Sequence, residues 1–371
     1  MTRYTDIFDY IVRQEHAYNQ PVTIIDGWEW GMKQHIKQSV FYKHGRLMTG
    51  NSDDKPVKNI IRTILNVPYR AEDIDLKNVV LYVDDPDIFH VSLLIKKYFD
   101  DVFSQENDLD TFFDEVKEEK IDLGGALVKK MKNACPHKIP LQSLAFCDQH
   151  NILANPFAIK YDLSPSDFEK MAENGWGDKR FGATMTIEEV ITLSQDYMIV
   201  DKESGQQSQK TGKNIEVYEV HGSLPAHFLK ESNSENKYIP QIQIVCFYQD
   251  TSGKKTGITL FKAKENKLMF DFITRDKIFN RALGFGGIEE LFEAQIWTNY
   301  TEKRKMDMLD AASKTILKTT DAALASRQKV GDMDNLEMLV LEDGKDVGQM
   351  DTFPKNFVLF EKATKEWEEY A

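Results

Sequence analysis

The run that opens at Gly287 constrains the chain more than any other stretch. Ile288, Leu291, Phe292, Ile296 and Tyr300 recur at the spacing of one helix face, and the helix runs on through Met306 and Leu309. Its middle, Glu302-Lys-Arg-Lys305, is charged all round. A helix packed on one core keeps its apolar stripe; one that loses the stripe midway passes from a body into an inter-subunit or channel environment. Further on, Met338 to Leu341 and the turn Glu342-Asp-Gly344 predict a small β unit. Thr352 then precedes a final amphipathic helix with Phe353, Phe357, Phe360 and Trp367 on one face.

The rest of the chain has ordinary globular texture. With 371 residues, 41% of them hydrophobic, it is long enough for two or three domains with real cores. Asp6 is placed to cap a helix carrying Ile7 and Ile11. Trp28-Glu-Trp30 leads into a helix through Ile36 and Val40 that stops near Gly45. Pro56 opens a helix bearing Ile60, Ile61, Ile64 and Leu65, with Pro68 as its expected end. Phe89, Ile95, Tyr98 and Val102 predict a long amphipathic helix. Asp108 begins another, with Leu109, Phe112, Phe113 and Val116, stopped by Gly124-Gly125. Ala126 to Val128 and Leu141 to Cys147 read as short strands. Ser164-Pro165 starts a helix at the favoured first-turn proline position, and Gly175 ends it. Thr186-Ile-Glu-Glu189 is a capping box. After a polar loop from Lys202 to Asn214, strands are expected at Ile215–Val220, Ile239–Gln249, Gly257–Lys262 and Leu268–Ile273. The turn at Asp250 to Gly253 makes two of them a hairpin. The class expected is α+β.

Charge excludes one kind of function. The formal net charge is −13, whereas a protein that grips nucleic acid by neutralising phosphates is usually basic where it binds. A ring that surrounds DNA without holding it is still allowed, because acidic walls repel phosphates and let a duplex slide. Cys135, Cys147 and Cys246 are odd in number and far apart, so they read as reduced thiols rather than a disulfide framework. No run approaches the roughly 20 apolar residues of a membrane span, and the N-terminus lacks a signal-peptide pattern. A cytoplasmic site of synthesis is expected.

Each candidate site has a plainer alternative. Cys135-Pro-His137 with Cys147-Asp-Gln-His150 offers zinc-type ligands, but one residue inside the first pair is too few; buried thiols and surface histidines are the favoured reading. Gly284-Phe-Gly-Gly287 lacks the Gly-Lys-Ser/Thr ending of a phosphate loop, and Glu289 and Glu290 behind it would repel a phosphate. It reads as a strand-to-helix turn. The acids at Asp84, Asp85, Asp87, Asp100, Asp101, Asp108, Asp110, Asp114 and Glu115 fall at helix starts or on polar faces. His221 and His227 flank what reads as a turn, Gly222 to Pro225, and a Ser-His nucleophile there has no evident orienting partner. Trp28, Trp30, Trp176 and Trp297 are not interleaved with a basic patch, so packing outweighs base stacking. No catalytic residue, metal or cofactor is assigned.

The order of parts in the second half resembles the portal proteins of tailed bacteriophages. Tyr218-Glu-Val-His-Gly-Ser-Leu-Pro225 resembles the end of the portal wing. Arg281-Ala-Leu-Gly-Phe-Gly-Gly-Ile-Glu-Glu-Leu-Phe-Glu-Ala-Gln295 resembles the junction that opens the stem helix. Met308 to Leu317 is similar to the passage from stem to clip, Met338-Leu-Val-Leu-Glu-Asp-Gly344 to the clip's strand and turn, and Thr352 to Glu361 to the returning stem helix. Asn59 to Arg70 and Asp122 to Val128 are similar to wing segments. The resemblance implies an α+β fold: a helix-rich wing with a small mixed or antiparallel sheet, a two-helix antiparallel stem and a small α/β clip. Residues 1–281 would be the wing, 282–313 the first stem helix, 314–350 the clip and 351–371 the start of the returning helix. The family's tunnel loop and crown would follow that helix and have no counterpart here.

Under the same resemblance the chain is a structural, non-enzymatic subunit of a homomeric, dodecameric ring at one capsid vertex of the virion, assembled in the host cytoplasm. Its partners would be the major capsid protein, the terminase large subunit, head-tail adaptors and double-stranded DNA passing non-specifically. Leu291, Phe292, Ile296, Tyr300, Phe357, Phe360 and Trp367 would pack the stem within and between subunits. Glu302, Lys303, Arg304 and Lys305 would lie near the channel or a neighbour. A different head-tail connector or virion structural protein, and more remotely a metal-dependent hydrolase, remain alternatives.

Overall fold

The computed structural model describes residues 6–45, 58–71, 80, 89–104, 108–131, 135–195, 198–200, 207–209, 214–229, 238–249, 255–313, 316–320, 347–350 and 357–371. The class is α+β. The chain divides into two units, one of residues 1–43 and 65–290, the other of 44–64 and 291–371. The division falls inside the long helix rather than at residue 281, and residues 44–64 go with the C-terminal segment.

Local capping chemistry sets the helix starts of the first unit. Helix α1 (Ile7–Tyr18) begins where the Asp6 carboxylate accepts the Asp9 N–H at 2.9 Å, and it buries Ile7, Tyr10, Ile11 and Tyr18. A hairpin of β1 (Val22–Ile25) and β2 (Trp28–Trp30) leads into α2 (Met32–Lys43). Helix α3 (Ile60–Ala71) carries Pro68 in its interior instead of ending there. The missing N–H would have served the Ile64 carbonyl, and with only three residues left to the helix end a single bond is lost. Helix α4 (Phe89–Tyr98) passes into a π turn, Phe99–Phe103. It buries Ser92 and exposes Leu94, Ile95 and Tyr98, so much of the face read as core is turned to the surface. Helix α5 (Leu109–Leu123) stops at Gly124, whose φ of 80° is left-handed.

Two antiparallel sheets form the body of this unit. The larger has the order β11 (Lys255–Lys264), β10 (Tyr238–Gln249), β9 (Ile215–Pro225), β6 (Phe157–Leu163), β5 (Leu144–Phe146). The expected hairpin is β10–β11, paired from Gln249 with Lys255 to Gln241 with Lys264. Residues 222–225, read as a turn, instead continue β9. Leu141–Ser143 is a 3-10 turn before β5 rather than part of a strand. The smaller sheet is β12 (Phe270–Thr274), β3 (Gly125–Lys129), β4 (His137–Ile139), so β12 joins a strand far earlier in the chain (Phe270 with Lys129 through Thr274 with Gly125) and not its sequence neighbour β11. Within the supposed polar loop, β8 (Gln207–Gln209) pairs with β7 (Met198–Val200). One core lies over β5, β6 and β9, with Ile11, Ile36, Phe146, Phe157, Tyr218 and Leu283 in it. A second packs Phe168, Val190, Val217 and Leu260, drawing on α6 (Pro165–Lys170) and α7 (Ile187–Gln195).

The capping box before α7 forms in full. Thr186 N–H donates to Glu189 Oε2 at 2.8 Å, and Glu189 N–H donates to Thr186 Oγ1 at 3.3 Å. Thr186→Ala is expected to lower the stability of the first unit by about 1 kcal/mol, read as a shifted urea midpoint at unchanged m-value.

The second unit takes α8 (Gly287–Ser313) from Leu291 onward, the antiparallel pair β13 (Ile316–Thr319) and β14 (Val347–Met350), and α9 (Phe357–Tyr370). The expected strand at Met338 to Leu341 lies outside the described residues. At 27 residues, α8 is about 40 Å long.

Candidate interface on the second unit and two buried charge clusters

The stripe of α8 buried within the second unit is partly polar. Leu291, Ala294, Gln295, Thr298 and Asn299 are buried, while Ile296, Trp297 and Tyr300 are 36%, 42% and 44% exposed. The polar residues are there to hold the segment that starts α3. Gln295 Oε1 accepts from the N–H groups of Ile60 and Ile61 at 2.9 and 3.3 Å, and its Nε2 donates to the Lys58 carbonyl at 2.6 Å. Asn299 Oδ1 accepts from Lys58 N–H at 3.0 Å, and Asn59 caps Arg62 N–H at 3.2 Å. Helix starts leave such donors orphaned, and a glutamine from another helix satisfies two of them here. Nothing local in the sequence announces this clamp, because its halves lie about 235 positions apart.

The aromatic side chains form a seam on the other flank. Trp297 stacks on Trp367 with centroids 5.9 Å apart and planes at 11°; Tyr300 meets Trp297 edge-on at 5.6 Å, and Tyr370 meets Trp367 edge-on at 5.8 Å. The Arg304 guanidinium lies 4.7 Å from the centre of the Tyr300 ring. The far end of α9 thus returns to the middle of α8, with β13 and β14 between the two helices in sequence. Of the residues read as stem packing, Leu291 is buried, Phe292 and Trp367 are half-buried, and Ile296 and Tyr300 are exposed. Phe357 and Phe360 lie on α9, with side chains outside the described residues. Lys303 and Arg304 are exposed, Glu302 and Lys305 half-buried.

In the first unit, the glycine run before α8 is a backbone crossing. Gly124 carbonyl accepts from Arg275 N–H at 3.0 Å and Gly284 N–H at 3.1 Å, and a Cβ on Gly286 would stand 2.3 Å from the Asp122 carbonyl oxygen. Arg281, fully buried, locks this crossing. Its guanidinium donates to both Glu289 oxygens at 2.9 and 2.5 Å, to the Leu283 carbonyl at 3.0 Å and to the Gly284 carbonyl at 2.8 Å, and it lies 4.8 Å from the Trp30 ring centre. Glu289, expected to repel a phosphate, is spent on this arginine.

The second cluster surrounds His221. Its Nδ1 is 2.8 Å from Glu265 and its Nε2 is 3.1 Å from Glu219, the latter an ion-pair contact without hydrogen-bond alignment. Glu219 also accepts from Lys129 at 2.6 Å and from the Tyr161 hydroxyl at 2.9 Å. Phe157 stacks on the imidazole and Phe270 meets it edge-on. The orienting carboxylates that sequence reasoning did not find are therefore Glu219, two residues away, and Glu265, across the sheet. Burial alone would raise the Glu219 carboxyl; His221 and Lys129 outweigh it and hold it at about 2. Burial would lower His221, and the two carboxylates reverse that and raise it. The ring is shut in by aromatic side chains, so this is a structural ion cluster rather than a site for substrate.

The remaining candidates disperse. Cys135 is buried beside Leu109, Cys147 lies against Met32 Sδ at 3.7 Å, and His150 is 2.7 Å from the Asn280 carbonyl oxygen. Asp100 pairs with Lys96 and Asp114 with Lys117, while Asp84, Asp85 and Asp87 lie outside the described residues. Among the described residues no group of three or more His, Cys, Asp or Glu converges, and no helix is long and apolar enough to cross a membrane. Neither a known family model nor a curated protein matches the chain.

Proposed function

We propose that this chain is a subunit of a tailed-phage portal, a homomeric ring at the capsid vertex of the virion through which double-stranded DNA is packaged and ejected. In this reading α8 and α9 are the stem, β13 and β14 belong to the clip, and the first unit is the wing. The observation that carries it is the aromatic seam of exposed Trp297, Tyr300 and Tyr370 with half-buried Trp367, on two helices that flank an antiparallel strand pair in sequence. Tryptophan, tyrosine and arginine gathered in one exposed patch are what a protein–protein interface concentrates, and a monomer has little reason to keep them out of its core. The net charge of −13 suits a channel that lets DNA slide. Terminase and head-tail adaptors would dock on the clip, and the major capsid protein on the wing.

Trp297→Asp tests the interface. It removes the stacked partner of Trp367 from a side chain that is already 42% exposed, so the subunit itself should stay folded by circular dichroism. The expected result on size-exclusion chromatography with light scattering is a shift from the ring to subunits. An unchanged ring would remove the seam from the interface.

A further inference from the structure

A cavity in the first unit has chemistry that neither the ring nor the charge clusters use. It has a volume of about 320 Å³ and is walled by Ile36, Val40, Phe41, Leu141 and Leu144, with Tyr18, Lys33, Lys37 and Gln142 completing it. That volume is at the lower end of what small-molecule sites span, and an apolar body with a few polar groups is their usual make-up. Ile36, Leu141, Leu144 and Tyr18 belong to the main core, so the floor is fixed; Lys37 and Gln142 are exposed and mark the mouth.

The charge at this mouth runs against the rest of the molecule. In a chain of net charge −13, α2 has no Asp or Glu and turns Lys33 and Lys37 to this cavity, whereas its Lys43 is paired with Glu118 and Asp122. The Lys37 ammonium lies over the Phe41 ring at 5.7 Å, and no carboxylate pairs with it among the described residues. Lys33 lies 6.0 Å from the Tyr18 ring centre, with Glu15 at 4.0 Å as its nearest acid. The buried Tyr18 hydroxyl is turned to the Cys147 thiol, so the tyrosine gives the cavity its ring. Apolar walls and two ammonium groups at the mouth together select a ligand with an apolar body and one negative charge.

We infer that this cavity is a binding site for a small apolar anion, of the class of medium-chain or aryl carboxylates, with the apolar body between Phe41 and Leu144 and the carboxylate at Lys33 and Lys37. The inference does not rest on the portal reading. The test is isothermal titration calorimetry of the full chain with decanoate, with decanol as the uncharged counterpart and a short acidic peptide containing phenylalanine as a third probe. Saturable binding of one decanoate per chain is expected, with decanol at least about tenfold weaker. Lys33→Gln/Lys37→Gln, both surface changes, should weaken decanoate by a similar factor and leave decanol unchanged. Val40→Trp, which fills the cavity, should abolish both; if it fails to fold, the lysine pair still decides. No saturable decanoate binding, equal affinity for decanol, insensitivity to the lysine changes, or binding of the peptide alone would each overturn the assignment.

Discussion

Arg281→Ala should destabilise the first unit by about 3–5 kcal/mol, the cost of leaving a buried charge without its partner. The arginine makes four hydrogen bonds from a fully buried side chain, two to Glu289 and two to the carbonyls of Leu283 and Gly284. Without it, Glu289 keeps, among the described residues, His35 at 3.6 Å, and the crossing of the 281–287 loop over Gly124 loses its brace. Burial lowers the His35 pKa first of all; Glu289 raises it and Arg281 lowers it. Removing the arginine therefore lessens the depression, and a less depressed His35 penalises the folded variant less at acidic pH than it penalises wild type, where the depressed histidine costs stability as pH falls through about 6.5. The deficit should accordingly be larger at pH 8 than at pH 5.5, measured by urea unfolding at both. Lysine at 281 should recover only part of the loss, since an ammonium cannot form the planar two-pronged contact. Equal deficits at the two pH values would mean that His35 does not sense Arg281.

Glu219→Gln should cost a similar amount, about 3–5 kcal/mol, because buried His221 is left with one carboxylate instead of two and half-buried Lys129 loses its ion pair. The intact cluster has a defined pH window. Glu219, held at about 2, contributes above its unfolded value near 4.5 and loses this as pH falls toward 2. His221, raised above 6.5, contributes fully below that value and loses it as pH rises through its folded pKa. Glu119 acts in the same sense at lower pH: burial pushes its carboxyl up to about 7 against the opposing Leu141 N–H bond, so its contribution is full below about 4.5 and is lost as pH rises to about 7. Wild-type stability should peak at mildly acidic pH and decline toward pH 8. In Glu219→Gln that decline should shrink, because His221 loses one of the two carboxylates that raise it. A flat wild-type profile from pH 5 to 8 would contradict the charge assignments.

What could be read without coordinates was whatever is written within a few residues. Asp6, Ser164 and the Thr186/Glu189 box fix helix starts through contacts three positions apart, and all three form. The β10–β11 hairpin and the long helix after Gly287 follow from period and turn chemistry alone. What stayed hidden depends on distant partners. The pairing of β12 with β3, the Glu265 contact of His221 and the grip of Gln295 on Ile60 each join residues from 44 to 235 positions apart. On α8 the period was right, but the identity of the buried face was not legible. Hydrophobicity nominated Ile296 and Tyr300, whereas the unsatisfied N–H groups at the start of α3 required Gln295 and Asn299 on the inner side. The aromatics were displaced outward as a consequence, and that displacement is the main physical support for an assembly.

Negative-stain electron microscopy of the purified full chain tests the ring most directly. The portal reading predicts closed rings with a central hole wide enough for a duplex. Isolated single subunits at micromolar concentration, with the fold intact by circular dichroism, would contradict it.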